Sequence, residues 1–246
     1  MKLGLGLNIK TTGSEFTPAN ISSLIHWYKF NEGITTFFVA GASNNIVTEW
    51  QDAKGSNHLV DTLTPANTSA YNIAHPKLDS GKVVFDHGGD QLDFTSHLSL
   101  GTFAIYIRAS FASSVGSHQV FEDEAGANFV KIQSSTEARF KISGSRHDFV
   151  LPGEGLAADT TYNIGWERAD RAGSTDDTLQ VYVNNEAGSF KSDGGTGDGT
   201  EVITNTLDLE KIGDPANAMN AVEVVICNDA LSTSDRTKLN AYFNTI

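Results

Sequence analysis

The sequence predicts an all-β fold, a two-sheet antiparallel sandwich that ends in one short C-terminal helix. Three observations lead to this prediction. Apolar and polar residues alternate over many short segments, as they do in half-buried strands. Turn-forming residues separate those segments, including 23 Gly in 246 residues. No helical period lies between them, which favours a sandwich over a βαβ arrangement.

The predicted strands follow one another from residue 27 to residue 228. The clearest is TFAIYIRASF, in which Phe103, Ile105 and Ile107 share one face and Tyr106 lies on the other. In order, the strands lie in WYKFNEG, NIVTEW, KVVFDH, TFAIYIRASF, HQVFED, NFVKIQSS, ARFKISG, TYNIGWERAD, TLQVYVNNEAG, NTLDLEKIG and AVEVVICN.

The closing segment ALSTSDRTKLNAYFNTI predicts the single helix. Ser232 is the expected N-cap, and Asp235 three positions later forms a variant of the capping box. Leu239, Tyr242 and Phe243 then fall on one helical face, which we expect to pack against the sandwich.

Two units are expected along the chain. Residues 1–20 are rich in Gly, Thr and Asn without a sustained period and predict an extended N-terminal arm. Residues 21–246 form one domain. The arm alternates Leu with Gly, and its anchoring residues are predicted to be Leu3, Leu5, Leu7 and Ile9. Such a segment can add to a partner as an edge strand.

Composition excludes several functions. The chain has 17 Lys and Arg against 30 Asp and Glu, with a net charge of −13. This balance argues against binding to nucleic acids or to anionic membrane surfaces, both of which require clustered cations. No apolar run reaches the length of a membrane span, and the apolar run in MKLGLGLNIK is too short for a signal peptide. The single Cys227 lies in an apolar run and predicts a buried strand thiol.

The stretch VTEWQDAKGSNHLV, residues 47–60, concentrates polar and aromatic residues in fourteen positions. We interpret it as a strand end and a turn, in which Trp50 packs in the sandwich while Asp52 and Asn57 bond to turn backbone. The alternative is a ligand-binding role for Asp52 or His58.

The ordered series LIHWYKFNEG, VTEWQDAKGSNHLV, KVVFDHGGDQLDF, TFAIYIRASF, YNIGWERAD and AVEVVICNDALSTSDRTKLNAYF resembles the concanavalin A-like lectin/glucanase superfamily of laminin-G-type jelly rolls. The resemblance covers about residues 21–246 and implies a jelly-roll sandwich. The start of the chain, of the M-x-L-G-L-G kind, resembles small structural proteins of marine T4-like bacteriophages.

Glucanases of that superfamily use paired carboxylates on one strand, which retaining hydrolysis requires at short separation. The nearest stretch here is VFEDEAGANF, where Glu122 and Glu124 would share a face while Asp123 lies opposite and the third acid is absent. The chain also lacks the G-x-S-x-G and H-E-x-x-H motifs. We therefore expect no enzymatic activity.

A carbohydrate site would need aromatic rings with polar groups around them. The residues nominated for it are Tyr106, Tyr182, His147 and Asp148. The alternative for an outward Tyr on a strand is cross-strand packing.

Calcium is the cofactor that the resemblance suggests, because lectin-like relatives often hold it in acidic loops. The nominated ligands are Asp193 and Asp198 in KSDGGTGDGTE and Asp86 and Asp90 in FDHGGDQLD. The alternative for both loops is a solvated hairpin tip.

Together these features predict a non-enzymatic structural protein of a phage virion, made in the bacterial cytoplasm and present in several copies. The arm would bind other virion proteins in the capsid, neck, tail or baseplate, and the sandwich would face host surface glycans. The alternative is a free-standing carbohydrate-binding lectin that depends on Ca²⁺. A degenerate glucanase is a third hypothesis, which lacks the carboxylate pair it needs.

Overall fold

The structure is a computed structural model, and it describes residues 15–37, 45–62, 75–86, 89–112, 116–170, 176–191, 200–213 and 218–246. The described strands are β1 (Leu24–Tyr28), β2 (Ile34–Phe37), β3 (Asn45–Trp50), β4 (Leu59–Val60), β5 (Lys77–Asp79), β6 (Lys82–Phe85), β7 (Leu92–Leu100), β8 (Phe103–Phe111), β9 (Gly116–Glu122), β10 (Phe129–Ser134), β11 (Glu137–Ile142), β12 (Ser145–Val150), β13 (Thr161–Asp170), β14 (Asp177–Val183), β15 (Glu186–Ala187), β16 (Ser189–Lys191), β17 (Thr200–Glu201), β18 (Leu207–Ile212) and β19 (Met219–Cys227). A 3-10 helix covers Pro18–Asn20, and helix α1 covers Thr233–Phe243.

The strands form two antiparallel layers, which confirms the predicted all-β sandwich with one C-terminal helix. In the back layer β19 pairs with β1, β6 and β8, and β13 and β14 follow. In the front layer the order is β3, β4, β7, β18, β9, β10, β11, β12 and β16. Strand β5 pairs with both β3 and β6, so the layers are joined along one edge.

The main core lies between the two layers. Phe103 of β8 and Phe140 of β11 belong to different layers, and their ring centroids are 6.1 Å apart. Trp50 and Trp166 are fully buried in the same cluster. Burying one large apolar side chain contributes about 1.5–3 kcal/mol to the free energy of unfolding, so this cluster holds the layers face to face.

A second, smaller core lies on the outer face of the back layer, beneath α1. Leu239 and Phe243 of the helix pack there with Ala104 and Cys227. Burial raises the pKa of the Cys227 thiol to about 12, as expected for the buried strand cysteine. The predicted N-cap is confirmed, because Ser232 Oγ accepts a hydrogen bond from the Asp235 N–H at 3.1 Å. In the described part of the chain nothing helical has the length and apolarity that crossing a bilayer requires.

The N-terminal boundary differs from the prediction. Residues 15–20, assigned above to the arm, pack on the back of the domain, since Phe16 contacts the second core. The predicted anchoring residues Leu3, Leu5, Leu7 and Ile9 lie outside the described residues.

The segment around Trp50 is the corner that we predicted. Asp52 Oδ1 accepts hydrogen bonds from the N–H groups of Trp27 and Lys54, both at 3.0 Å, and Oδ2 contacts His26 Nδ1 at 2.8 Å. Burial alone would raise the pKa of Asp52, but these hydrogen bonds outweigh it and lower the pKa. His58 Nδ1 accepts the Asp52 N–H at 3.1 Å. The polar residues of this corner thus bind one another and the backbone.

Candidate functional site

A β-bulge in β18 builds the first part of the site. Leu209 pairs with Leu98 and Lys211 pairs with Asp93, so the register shifts between them. Leu209 and Ile212 are both fully buried, which leaves Glu210 and Lys211 together on the outer face. In a regular strand these two consecutive residues would lie on opposite faces. Bulges often re-aim side chains in this way at functional sites.

The opposing strand β7 carries a matching irregularity. Thr95, Ser96 and His97 are exposed between the buried Phe94 and Leu98. Asn57 of the corner holds this outward turn, because its Oδ1 accepts the Ser96 N–H at 2.8 Å and its Nδ2 donates to the Ser96 carbonyl at 2.7 Å. The corner segment therefore supports the strand that carries His97.

These two irregularities enclose a cleft on the outer face of the front layer. Its volume is about 330 Å³. Its lining residues are Thr62, Gln91, Asp93, Phe94, His97, Glu124, Glu210 and Lys211.

Hydrogen bonds orient the polar groups of the cleft. Glu210 accepts the Glu124 N–H at 2.8 Å through Oε2 and contacts His97 Nδ1 at 3.2 Å through Oε1. Gln91 Nε2 donates to Asp93 Oδ1 at 3.0 Å, and the Thr62 hydroxyl donates to Oδ2. The side chain of His97 is 69% exposed. The cleft therefore presents fixed carboxylate acceptors beside a ring that a ligand can reach.

The row of paired residues across the cleft alternates in charge. Lys211 lies between Asp93 of β7 and Glu122 of β9, and its Nζ is 3.3 Å from Glu122 Oε1. Directly paired residues share one face of a sheet. The floor of the cleft is thus lined by carboxylates, an ammonium group, an imidazole and an amide. This set of groups suits hydrogen bonding to a hydroxyl-rich ligand.

The two glutamates weighed as a glucanase pair do not share a strand face. Strand β9 ends at Glu122, whereas Glu124 lies in the following turn. Glu124 lines the cleft, and Glu122 pairs with Lys211 beside it. Their partners in the cleft, Asp93 and Glu210, were not nominated from the sequence.

Tyr106 and Tyr182 lie together, but far from the cleft, on the outer face of the back layer. Both pair with Gly165, and α1 covers them. Tyr106 is 4% exposed, and its hydroxyl donates to Glu167 Oε1 at 2.6 Å. The Arg236 guanidinium lies 4.0 Å from the Tyr182 ring centroid. Burial, followed by the nearby Glu167 charge, raises the pKa of both tyrosines. The strand face that the sequence suggested to be polar and outward therefore packs against α1.

His147 and Asp148 are neighbours in β12 with side chains on opposite faces. His147 pairs with Phe140 and is 2% exposed, on the core side. Burial lowers the pKa of His147, and the Asp148 charge opposes that shift. Asp148 lies on the outer face, where Arg139 Nη2 donates to it at 3.1 Å. The structure does not bring these two residues together with the nominated tyrosines.

Of the four nominated calcium ligands, the structure describes Asp86 and Asp90. Asp86 binds Lys77 Nζ at 2.9 and 3.1 Å, and the Asp86 N–H donates to Asp90 Oδ2 at 2.8 Å. Asp193 and Asp198 lie outside the described residues. Within the described ranges, no group of three or more His, Cys, Asp or Glu is arranged to hold a metal ion. Calcium binding by these loops stays a prediction.

No protein-family model matches the sequence, and no curated protein is similar to it. Among solved structures, a Trypanosoma rangeli sialidase bound to 2,3-difluoro-KDN is similar, with a TM-score of 0.56 and 13% identity, over 89% of this chain and 32% of that chain. The receptor-binding domain of botulinum neurotoxin type G is similar with a TM-score of 0.52 and 9% identity, over 90% of this chain and 51% of that chain. The binding domain of botulinum neurotoxin serotype D is similar with a TM-score of 0.54 and 8% identity, over 91% of this chain and 51% of that chain.

This chain therefore spans about a third of the sialidase and half of the toxin domains. At these identities the likeness shows a shared β-sandwich fold. Fold alone does not determine function, so the cleft has to be interpreted from its own residues.

Proposed function

We propose that this protein is a non-enzymatic carbohydrate-binding protein of a phage virion, and that the front-layer cleft binds a host surface glycan. The observation that carries the binding proposal is the pair of facing bulges, which turns Glu210, Lys211 and His97 outward over one polar floor. Sugars are bound by such fixed polar groups, because each hydroxyl both donates and accepts hydrogen bonds.

The absence of catalysis is part of the proposal. Hydrolysis by paired carboxylates requires two groups placed on either side of the scissile bond. In the cleft, both oxygens of Asp93 accept hydrogen bonds from Gln91 and Thr62. Glu210 is held by His97 and by the Glu124 N–H. These contacts favour a carboxylate role as hydrogen-bond acceptors for a ligand.

The virion role is supported by the sequence at the start of the chain, which resembles small structural proteins of phages. Phe16 lies on α1 behind the back layer, whereas the cleft opens on the front layer. A partner attached near the N-terminal side would leave the cleft accessible. The second hypothesis is a free-standing lectin that needs Ca²⁺, for which Asp193 and Asp198 are the nominated ligands.

Glycan-array binding followed by calorimetry tests this proposal. We expect the wild-type chain to bind a subset of bacterial surface glycans with or without EDTA. Glu210→Gln and His97→Ala are each expected to weaken binding about tenfold, since each removes a polar contact worth about 1–2 kcal/mol. Lys238→Ala on α1 is the control and leaves affinity unchanged. Loss of binding in EDTA would favour the calcium-dependent lectin.

Two further results would reject parts of the proposal. If no glycan binds at any concentration tested, the carbohydrate-binding role is wrong. If the bound glycan is cleaved, and Glu210→Gln abolishes cleavage, the protein is a glycosidase. The virion role is tested separately by mass spectrometry of purified particles, which should contain the chain in stoichiometric amounts.

A further inference from the structure

We propose that the bound glycan is an acidic polysaccharide, whose carboxylates are bound by a cationic patch next to the cleft. This inference rests on the proposed carbohydrate-binding function and specifies the ligand class. The patch lies on the outer face of β10, β11, β12 and β16. Its members are Lys131, Arg139, Lys141, Arg146 and Lys191.

Strand register places these cations on one surface. Phe129 pairs with Lys141, which pairs with Arg146. In the next row Lys131 pairs with Arg139, and Arg139 and Lys191 both pair with Asp148. Directly paired residues share a face. Five of the 17 Lys and Arg of a chain with net charge −13 thus share one sheet face four strands wide, where Lys131 is only 8% exposed.

Within the described residues, the two arginines of the patch contact a single carboxylate. Arg139 Nη2 lies 3.1 Å and Arg146 Nε 3.5 Å from the same Asp148 carboxylate, so two guanidinium groups share one negative charge. Glu137 pairs with Lys191. The side chain of Arg146 is 42% exposed, and that of Lys191 is 31% exposed. Positive charge is therefore accessible to a ligand.

Lys141 adds a cation that has no acidic partner among the described residues. Its Nζ donates to the Gly126 carbonyl at 2.7 Å and lies 5.5 Å from the Phe129 ring centroid. Among the residues that the structure describes, no carboxylate forms a salt bridge with it. Lys131 Nζ lies 5.2 Å from the same ring. Cation–π contacts of this kind hold ammonium groups over the ring face.

The patch and the cleft are continuous. One row of directly paired residues extends from β7 to β12. It consists of Asp93, Lys211, Glu122, Phe129, Lys141 and Arg146. With strands about 4.8 Å apart, this row extends over roughly 24 Å. A polymer whose hydroxyls occupy the cleft can therefore place acidic groups against the patch.

The ligand chemistry follows from the spacing of the charges. Lys191 and Arg139 lie two strands apart with Asp148 between them, so their Cα atoms are about 10 Å apart and a carboxylate lies between them. A densely charged nucleic acid would meet Asp148 and the net charge of −13 with repulsion. A polysaccharide with intermittent carboxylates fits this pattern better, because Lys141 and Arg146 can each form a charge-assisted hydrogen bond to one ligand carboxylate.

Calorimetry with a matched pair of oligosaccharides tests the inference. The probes are a hyaluronan hexasaccharide, with a carboxylate on every second sugar, and its methyl ester, which has the same chain with its carboxylates masked. We expect the acid to bind wild type about tenfold or more tightly than the ester, and to weaken as salt rises. Lys141→Gln with Arg146→Gln should remove that preference without changing the melting temperature. Lys82→Gln with Lys238→Gln changes the charge equally outside the front layer and should leave the preference intact.

Each contrary result overturns the inference. Equal binding of acid and ester, or binding of neither while a neutral glycan binds the array, would reject the acidic class but keep carbohydrate binding. Binding of a DNA oligonucleotide of equal charge as tightly as the acid would show a general polyanion surface. If Lys141→Gln with Arg146→Gln left the preference intact at an unchanged melting temperature, the patch would not be the site. Absence of any glycan binding rejects the proposed function itself.

Discussion

Glu210 and Lys211 are consecutive in the chain, yet both lie on the outer face of the front layer, between the buried Leu209 and Ile212. This departure from strand alternation gives the cleft two charged groups at the point where β7 also turns outward. A regular strand would have buried one of them. The cleft is therefore a product of paired bulges, and mutations that disturb either one are expected to change binding.

Asn57→Ala is expected to affect both stability and binding. The side chain makes hydrogen bonds to the Ser96 N–H and carbonyl at 2.8 and 2.7 Å, and accepts the Thr95 hydroxyl at 3.0 Å. Losing them should cost about 1–3 kcal/mol of unfolding free energy and weaken glycan binding by releasing the turn that carries His97. Urea unfolding and calorimetry measure the two effects. Asn228→Ala, at an exposed position, is the control; equal effects from both would contradict this role.

Gly165→Ala is expected to destabilise the back layer. A Cβ at this position would lie 2.2 Å from Cε1 of Tyr106, and the tyrosine is confined beneath α1. Overpacking of this kind costs about 1–3 kcal/mol, measured by urea unfolding. Gly101→Ala is the matched control, because nothing lies within 4 Å of its added Cβ. A neutral Gly165→Ala would show that Tyr106 can move freely.

Arg236→Met is expected to loosen α1 from the sandwich. Arg236 Nη1 lies 3.0 Å from Glu167 Oε2, and the two side chains are 11% and 5% exposed. Removing one partner leaves a buried charge and should cost about 3–5 kcal/mol. Adding Glu167→Gln should recover part of that loss. A double-mutant cycle by chemical unfolding measures the coupling, and strictly additive effects would contradict it.

Glu223 is expected to make stability fall as pH rises. Burial raises its pKa above 4.5, against hydrogen bonds from the Phe30 N–H and Trp27 Nε1 that lower it. An acid whose pKa is raised by folding contributes stability below 4.5, and this contribution is lost as pH rises through the higher folded pKa. The stability of Glu223→Gln relative to wild type should therefore increase as the pH rises above 4.5.

Urea unfolding of both proteins at intervals across this pH range measures the effect. Glu154→Gln, in an exposed turn, controls for the change in net charge. A difference between wild type and Glu223→Gln that stays constant with pH would mean that Glu223 has the same pKa in the folded and unfolded states.

The architecture could be predicted because it depends on repeated local signals. Alternation predicted strands such as β8, where Phe103, Ile105 and Ile107 are all fully buried. The helix followed from Ser232 and from Leu239 and Phe243, which lie on the face that packs. These features are consistent at the level of each segment, so a single sequence is enough to reveal them.

The candidate site could not be predicted from the same signals. Strand β7 was missed because Thr95, Ser96 and His97 interrupt its alternation, and that interruption forms the cleft. Tyr106 was nominated because it lies opposite the main core, but α1 covers that face. Neither the pairing of two bulges nor the position of a distant helix is encoded in local periodicity.

Amide hydrogen exchange of the free and glycan-saturated protein, using the tightest-binding glycan from the array, tests the binding cleft most directly. We expect protection to increase in residues 91–98, 122–128 and 207–212, with no change in α1. Protection confined to residues 233–243 and the facing strands β8 and β13, with none at the bulges, would contradict it.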